Sequence, residues 1–371
     1  MLTCLFIVQG EGRGHLTQAL SLRAQLEHAG HAVCSVLVGQ STSRNVPDFF
    51  LRKIGAPITY LDSPNFVYGD DRRAIRPLQT LVRVIRRASR FRTSLRCIDS
   101  TIKHHQPDVV VNFYEPLGGL YYALHRAAPP MVCIAHQYLY LHPTHRFPTG
   151  HAVQRAALKA FTQLTAWGAT TRIALSLEPV PGIHPGLVVT PPLLREELFG
   201  LPFDQQEPFF LAYLLNAGYA RDIIRWHMQH PDVVLHCFWD NPDAAPTKHY
   251  DDTLTFHRLN DELFLDLMAR CQGLITTAGF ETVGEAMYLG KPVLAVPVEG
   301  HFEQYCNSRD VERLGAGLAR SSFDIDGFMR FLPSHQSSAP AFRDWLHTGE
   351  AHLLQAIEDA AHASPAKLIT A

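Results

Sequence analysis

Short apolar runs rich in Val, Ile and Leu alternate with helical patterns along the whole chain, and this alternation constrains the fold more than any other feature. The first half gives "CLFIV", "HAVCSVLV", "PDVVVNF" and "PMVCIAH" as strands, with "LTQALSLRAQLEHAG" as a helix that ends at Gly30. The second half repeats the style with "PFFLAYLL", "DVVLHCF", "TLTFHRL", "GLITT" and "PVLAVPV", interleaved with the helical "NDELFLDLMARC" and "ETVGEAMYLG". Strands buried on both faces and joined by helices are the mark of βαβ units. The expectation is an α/β chain of two doubly wound, Rossmann-like domains facing across a cleft.

A length of 371 residues fits two domains. The segment at 188–208, "VVTPPLLREELFGLPFDQQEP", carries four prolines and reads as the connection. The boundaries are placed at 1–190 for an N-terminal Rossmann-like domain and 191–207 for the linker. A C-terminal Rossmann-like domain takes 208–345, and a closing helix 346–371. Ligands of open α/β sheets sit beyond the carboxyl ends of the strands, so the reactants are expected in the cleft.

Charge is balanced, 33 Lys and Arg against 35 Asp and Glu, which gives no general affinity for nucleic acid. Seven cysteines without a CxxC pair suit a reducing compartment, and no leader or membrane span is visible. A cytoplasmic protein is expected, with peripheral contact at the inner face of the membrane left open. That option comes from 72–103, where ten Lys or Arg and the single acid Asp99 are interleaved with apolar residues. The segment reads either as a surface for anionic lipid or a phosphorylated acceptor, or as a solvated helix face.

The segment "GLITTAGFETVGEAMYLGKPVLAVPVEGHFEQYCNS", 273–308, holds the most chemistry. A buried strand runs into Ala278 and Gly279, and a helix starts near Glu281. Free backbone N–H groups at a helix start make an anion site, with phosphate as the guest. Thr282 adds a hydroxyl in the first turn. Glu285 lies one turn after Glu281, where a carboxylate can accept two bonds from a ribose diol. Glu303 and Gln304 follow the next strand, and a carboxylate beside an amide suits sugar hydroxyls.

The pattern G-F-x-T-x-x-E-A-x-x-x-G-K-P-x-L-x-x-P, followed by E-Q-x-x-N at 303–307, resembles the nucleotide-sugar signature of GT-B glycosyltransferases. It is similar to the UDP-glycosyltransferases (family 1-like) and to the N-acetylglucosamine transferase of peptidoglycan synthesis. The opening "QGEGRGHLTQAL" resembles the glycine-rich loop and histidine of the same superfamily. The resemblance implies a hexosyl transferase that uses a nucleotide-diphosphate sugar, UDP first among them, as co-substrate, with no further cofactor. It implies a small-molecule or lipid-linked acceptor as partner. Gly279 and Thr282, with Ala278 and Phe280 in the same turn, would meet the diphosphate, and Gly14 would let it approach the first loop. Glu285 would hold the ribose, and Glu303 with Gln304 the donor sugar. Arg258 and Leu259, in "FHRL", stand where backbone groups hold the base. Asn216 and Gly218 match a further phosphate-facing loop, although that loop lacks the usual Gly-Gly or Gly-Ser composition. Where plant-type members carry a phosphate-binding histidine this chain has Thr277. Where many relatives carry an aspartate that orients the catalytic base it has Asn112.

Glycosyl transfer needs a base for the acceptor's proton and stabilisation of the departing diphosphate. His15, just after the glycine turn, is the candidate base, and Glu115 the carboxylate expected to hold its imidazole in the correct tautomer. His136, at the end of a strand, is expected to touch the acceptor. His136, His142, His145 and His151 follow no zinc spacing, and no Asp-x-Asp is present, so no metal is expected. Retaining enzymes of the fold this chain resembles commonly carry two glutamates separated by seven residues in the second lobe, and no such pair surrounds Glu281, Glu285, Glu299 or Glu303, so the resemblance implies inversion by direct displacement. A dehydrogenase is excluded twice. His15 stands where GxGxxG needs glycine, and "CSVLVGQ" ends without the acid that binds a ribose. An epimerase of the same fold and a non-catalytic nucleotide-sugar sensor stay open.

Overall fold

A computed structural model describes residues 1–40, 46–63, 88–125, 128–202, 206–214, 217–241 and 243–363. The chain divides into two compact units. The first runs to Glu196 and takes back the segment from Trp345; the second covers Glu197–Asp344.

In the first unit β1 (Thr3–Gln9), α1 (Arg13–His28), β2 (Ala32–Gln40), α2 (Asp48–Lys53), β3 (Ile58–Asp62), α3 (Ala88–His105), β4 (Val109–Phe113), α4 (Pro116–Leu124), β5 (Met131–Ala135), α5 (Ala152–Thr165), β6 (Thr171–Leu175) and β7 (Leu187–Thr190) follow in order. Every neighbouring pair of strands is parallel, in the order β3-β2-β1-β4-β5-β6-β7. The central strands β4 and β5 are buried at every position, as parallel strands covered on both faces must be.

The second unit repeats the plan with β8 (Phe209–Leu214), α6 (Ala220–His227), β9 (Val234–Trp239), β10 (Thr247–His249), β11 (Leu254–Arg258), α7 (Asp261–Arg270), β12 (Gly273–Thr276), α8 (Phe280–Leu289), β13 (Val293–Ala295), α9 (Phe302–Arg313), β14 (Gly317–Ala319) and α10 (Ile325–Phe331). Its sheet order is β10-β11-β9-β8-β12-β13-β14, with β10 alone antiparallel. The last helix, α11 (Ala339–His362), begins in this unit and ends in the first. There Glu358 meets the His31 ring at 3.0 Å and Trp345 Nε1–H donates to Ser176 O at 2.8 Å.

In each sheet the winding reverses once, between β1 and β4 and between β8 and β12. At such a reversal the two flanking loops leave in opposite directions and open a crevice at the carboxyl ends of the strands. The loops concerned are Gly10–Gly12 with Tyr114–Glu115, and 217–219 with Thr277–Gly279. Sequence and topology thus select the same four loops.

Candidate active site

The first switch point is built around glycine. Gly10 N–H donates to Gly39 O at 2.7 Å, and a Cβ on Gly10 would stand 2.7 Å from that oxygen and 2.8 Å from Val38 Cγ1. Only glycine fits there, so the first loop is laid against the end of β2. Gly12 caps α1 without a side chain, Gly14 is its second residue and His15 its third.

His15 is buried, 7% exposed, and packed on two sides. Its Nδ1 meets Gln18 Oε1 at 3.2 Å, and its ring stacks on Tyr114 with centroids 5.4 Å apart. An amide oxygen accepts, so Nδ1 carries the proton and Nε2 keeps the lone pair. Tyr114 holds its place at a cost, with φ of 60° in a residue that is not glycine. Its hydroxyl pairs with Thr162 Oγ1 at 2.8 Å, and its ring meets Tyr138 and Phe161 edge-on.

Glu115 has a different set of partners. It caps α4, with Oε1 accepting from Leu117 N–H at 3.1 Å and from Ser63 Oγ at 2.5 Å. Its carboxyl lies on the bare Cα of Gly39, where a Cβ would run into Oε2. Oε2 itself is buried without a hydrogen-bond partner. The carboxylate expected to orient His15 is therefore tied to the ends of β2 and β3, and the ring nitrogen contact belongs to Gln18. Asn112, in the place of the relatives' aspartate, donates from Nδ2 to Glu115 O and to Thr165 O at 3.1 and 2.8 Å. His136 opens a 3-10 turn after β5 and is buried against the edge of Tyr140.

Burial pushes the Glu115 carboxyl up to about 7, from the ordinary 4.5, against the lowering effect of the Ser63 and Leu117 bonds. A carboxyl raised on folding binds its proton more tightly in the native state. Its contribution is complete below pH 4.5 and is lost as pH rises through 7. In urea melts the wild type is expected to lose about 2–3 kcal/mol more between pH 5 and pH 8 than Glu115→Gln does. Equal slopes for the two proteins would show that the carboxyl ionises freely.

At the second switch point Gly218 lies in a short 3-10 turn after β8, while Asn216 falls outside the described residues. After β12, Ala278 adopts φ of 61° and is fully buried. Asn307 fixes this strained residue, its Nδ2 donating to Ala278 O at 3.0 Å. Gly279 then caps α8 without a side chain of its own, and a Cβ there would stand 3.9 Å from Thr282 Oγ1. A glycine at a helix start lets a ligand approach the backbone N–H groups there. Phe280 and Glu285 are buried within the helix and Thr282 half-buried. Asn307 was visible in E-Q-x-x-N, yet its role as the brace of the turn needs the fold to be seen. Asn307→Ala leaves a buried carbonyl unpaired and is expected to lower stability by about 1–3 kcal/mol in urea melts.

Gln304 is buried, with Oε1 accepting from Val298 N–H at 2.9 Å and its own N–H bonded to His301 Nδ1 at 3.3 Å. Glu303, beside it in the first turn of α9, is half-buried. Arg258 ends β11 with an exposed side chain, and its N–H donates to Pro246 O at 2.9 Å. The next polar backbone groups are Arg258 O and the N–H of half-buried Leu259. Among the described residues no group of three or more His, Cys, Asp or Glu is placed to hold a metal.

Two doubly wound units, each with a glycine turn at its switch point, have the architecture of the GT-B glycosyltransferases. Residues 2–333 match the profile of Glycosyl transferase family 1, and the chain belongs to that family. No curated protein sequence matches it. Among solved structures it is similar to Phytolacca americana UGT2 complexed with UDP-2fluoro-glucose and pterostilbene, with a TM-score of 0.66 and 11% identity over 98% of this chain and 100% of that one. It is also similar to the Streptomyces sp. SF2575 glycosyltransferase SsfS6 complexed with thymidine diphosphate, at 0.63 and 14% over 97% and 100%. Acinetobacter baumannii MurG follows at 0.57 and 16%, over 97% and 100%.

Proposed function

We propose that this protein is an inverting, metal-independent glycosyltransferase. It moves a hexosyl group from a nucleotide-diphosphate sugar, UDP-sugar first among them, to a hydroxyl of a small-molecule or lipid-linked acceptor. The observation that carries the reading is the seating of His15. A buried imidazole with Nδ1–H given to Gln18 and its ring clamped on Tyr114 presents one nitrogen, Nε2, as a fixed base. His15 removes the acceptor's proton as the oxygen attacks the anomeric carbon, and the nucleoside diphosphate leaves from the opposite face.

The first turn of α8 after Gly279, with Thr282 Oγ1, takes the diphosphate, and the helix start stabilises its charge as the bond breaks. Gly218 and Gly14 allow backbone approach. Glu285 serves the ribose, Arg258 and Leu259 the base. With Gln304 Oε1 held by Val298, its amide hydrogens serve the donor sugar alongside the Glu303 carboxylate. His136 contributes to acceptor binding. The structure of the UGT2 complex, whose title names a UDP-sugar, and that of SsfS6, whose title names thymidine diphosphate, support a nucleotide-sugar donor without choosing the base.

A thermal-shift panel of UDP, GDP and dTDP tests the donor side, since a ligand at a hundred times its dissociation constant adds about 2.7 kcal/mol. The matching UDP-, GDP- or dTDP-sugar incubated alone tests the class. Change of the sugar without an acceptor would mark an epimerase, and binding without any turnover across an acceptor panel a sensor.

A further inference from the structure

Three histidines meet on one face of the second sheet, at its outer edge. His236 of β9, His257 of β11 and His249 of β10 come from three neighbouring strands. Thr255 stands opposite both His236 and His249 in the ladders, and His257 lies two residues beyond it, so all of them share one side. His236 Nδ1 and His257 Nε2 are 3.0 Å apart, with the two rings stacked. At that distance one nitrogen donates and the other accepts, so the bond needs a lone pair on one of the two rings. His257 Nδ1 also reaches Thr247 Oγ1 of β10 at 3.4 Å, and His249 Nδ1 reaches Thr255 Oγ1 at 3.1 Å. Strand β10 is three residues long, exposed throughout and at the edge of the sheet. Among the described residues, its side-chain hydrogen bonds to β11 are these two histidine–threonine contacts.

The surroundings of the cluster offer it no free countercharge. Helix α7 covers this face, with Phe264 against Phe238 and Phe238 stacked on the His257 ring. Phe209, at the start of β8, meets His236 edge-on. Arg270, at the end of α7, acts on His236, and its guanidinium already holds Glu207 and Asp266, each at 2.6 Å. Lys248 of β10 stands opposite Phe256, on the other side of the sheet. Burial, and after it the charge that His236 and His249 would carry, holds His257 down to about 4. Burial and Arg270 hold His236 below its ordinary value, against the opposite pull of Glu207. A histidine freed into water takes its proton near about 6.5. Opening of the edge is therefore favoured as pH falls from about 6.5 towards 4, because the freed rings bind protons that the closed cluster refuses.

We propose that His236, His249 and His257 form an acid-operated latch, which fastens β10 to β11 while the rings are neutral and releases it as they gain protons. A second proton on the His236–His257 pair sets two donors face to face and breaks the bond, with Arg270 adding to the repulsion. The latch reaches the donor side of the molecule through the chain itself. Arg258 directly follows His257, and its N–H is tied to Pro246 O on the approach to β10. The link to the nucleotide rests on the proposed placing of the base at Arg258 and Leu259; the latch does not.

The test is hydrogen exchange of the full chain at pH 7, 6 and 5, with opening constants taken after correction for the intrinsic exchange rate. For β10 and β11 the constant is expected to rise at least about tenfold from pH 7 to pH 5, for which one proton gained by the opened edge suffices. Strands β12 and β13, in the same sheet, are expected to stay level. His236→Asn with His257→Gln keeps an amide near each facing nitrogen and removes both titrations, so its rise is expected to stay below about threefold. If the double variant does not fold, His236→Asn alone, with one titrating ring fewer, is expected to rise less steeply than the wild type. Saturating UDP is expected to lower the constant at pH 5 by at least about tenfold. Acid opening that UDP leaves untouched would keep the latch and remove the base from Arg258 and Leu259. The latch is overturned by a level constant at β10 and β11, which a proton shared between His236 and His257 would give, by an equal rise at β12 and β13, or by His236→Asn rising as steeply as the wild type.

Discussion

His15→Ala is expected to reduce turnover by about two to four orders of magnitude while leaving the melting shift given by UDP unchanged. The base acts on the acceptor and the diphosphate belongs to the turn at Gly279, so the two readouts should separate. A parallel loss of both would mean that the histidine shapes the nucleotide site. Gln18 refines the experiment. In the wild type a neutral amide accepts the Nδ1 proton, so this contact gives the imidazolium formed during transfer a hydrogen bond from an uncharged group. Gln18→Glu supplies the charge. A neighbouring carboxylate favours the protonated ring, so the acidic limb of kcat/KM against pH should move up by about one unit. Gln18→Ala, which frees the ring to change tautomer, should lower turnover at every pH without moving that limb. A limb that stays in place in Gln18→Glu would show that His15 is not the titrating base.

The fold was legible in the sequence because parallel strands buried on both faces leave unbroken runs of β-branched residues, and helices between them leave a different period. "VVVNF" and "MVCIA" need no partner to be read. The glycine turns were legible because each stands between a strand and the helix after it, although what requires glycine at 10 is the distant Gly39 O and Val38 of β2. What escaped is what distant segments decide. Glu115 looked like the acid for His15 because it follows the adjacent strand, yet Ser63 and the bare Cα of Gly39 hold its carboxyl. Gln18, in a helix that could have shown it to water, is fully buried and takes the ring nitrogen instead. Asn307 and Ala278 are 29 residues apart, and only the packing of α9 beside the turn makes one the brace of the other.

Asn112→Asp is the substitution that would bring this chain into line with many relatives, and it is expected to be among the most damaging single changes here. The two side chains have nearly the same shape. Asn112 is fully buried, with Oδ1 accepting from Glu115 N–H at 3.1 Å. Its Nδ2 hydrogens reach two carbonyls, Glu115 O across the turn and Thr165 O at the end of α5. A carboxylate keeps the first bond and reverses the others, setting a buried negative oxygen against two carbonyl oxygens. An uncompensated buried charge costs about 3–5 kcal/mol. Protonation removes the charge and restores one donor, so the aspartate's folded pKa is raised. Its penalty then grows as pH climbs from the ordinary carboxylate range, and urea melts at pH 5 and pH 7.5 should show the variant closer to wild type at the lower value. Activity should fall with stability, because the same turn carries Tyr114 in its left-handed conformation, and Tyr114 is the face on which His15 stacks. A variant within about 1 kcal/mol of wild type at pH 7.5 would mean that the turn is held by Tyr114 and its neighbours without the Asn112 bonds.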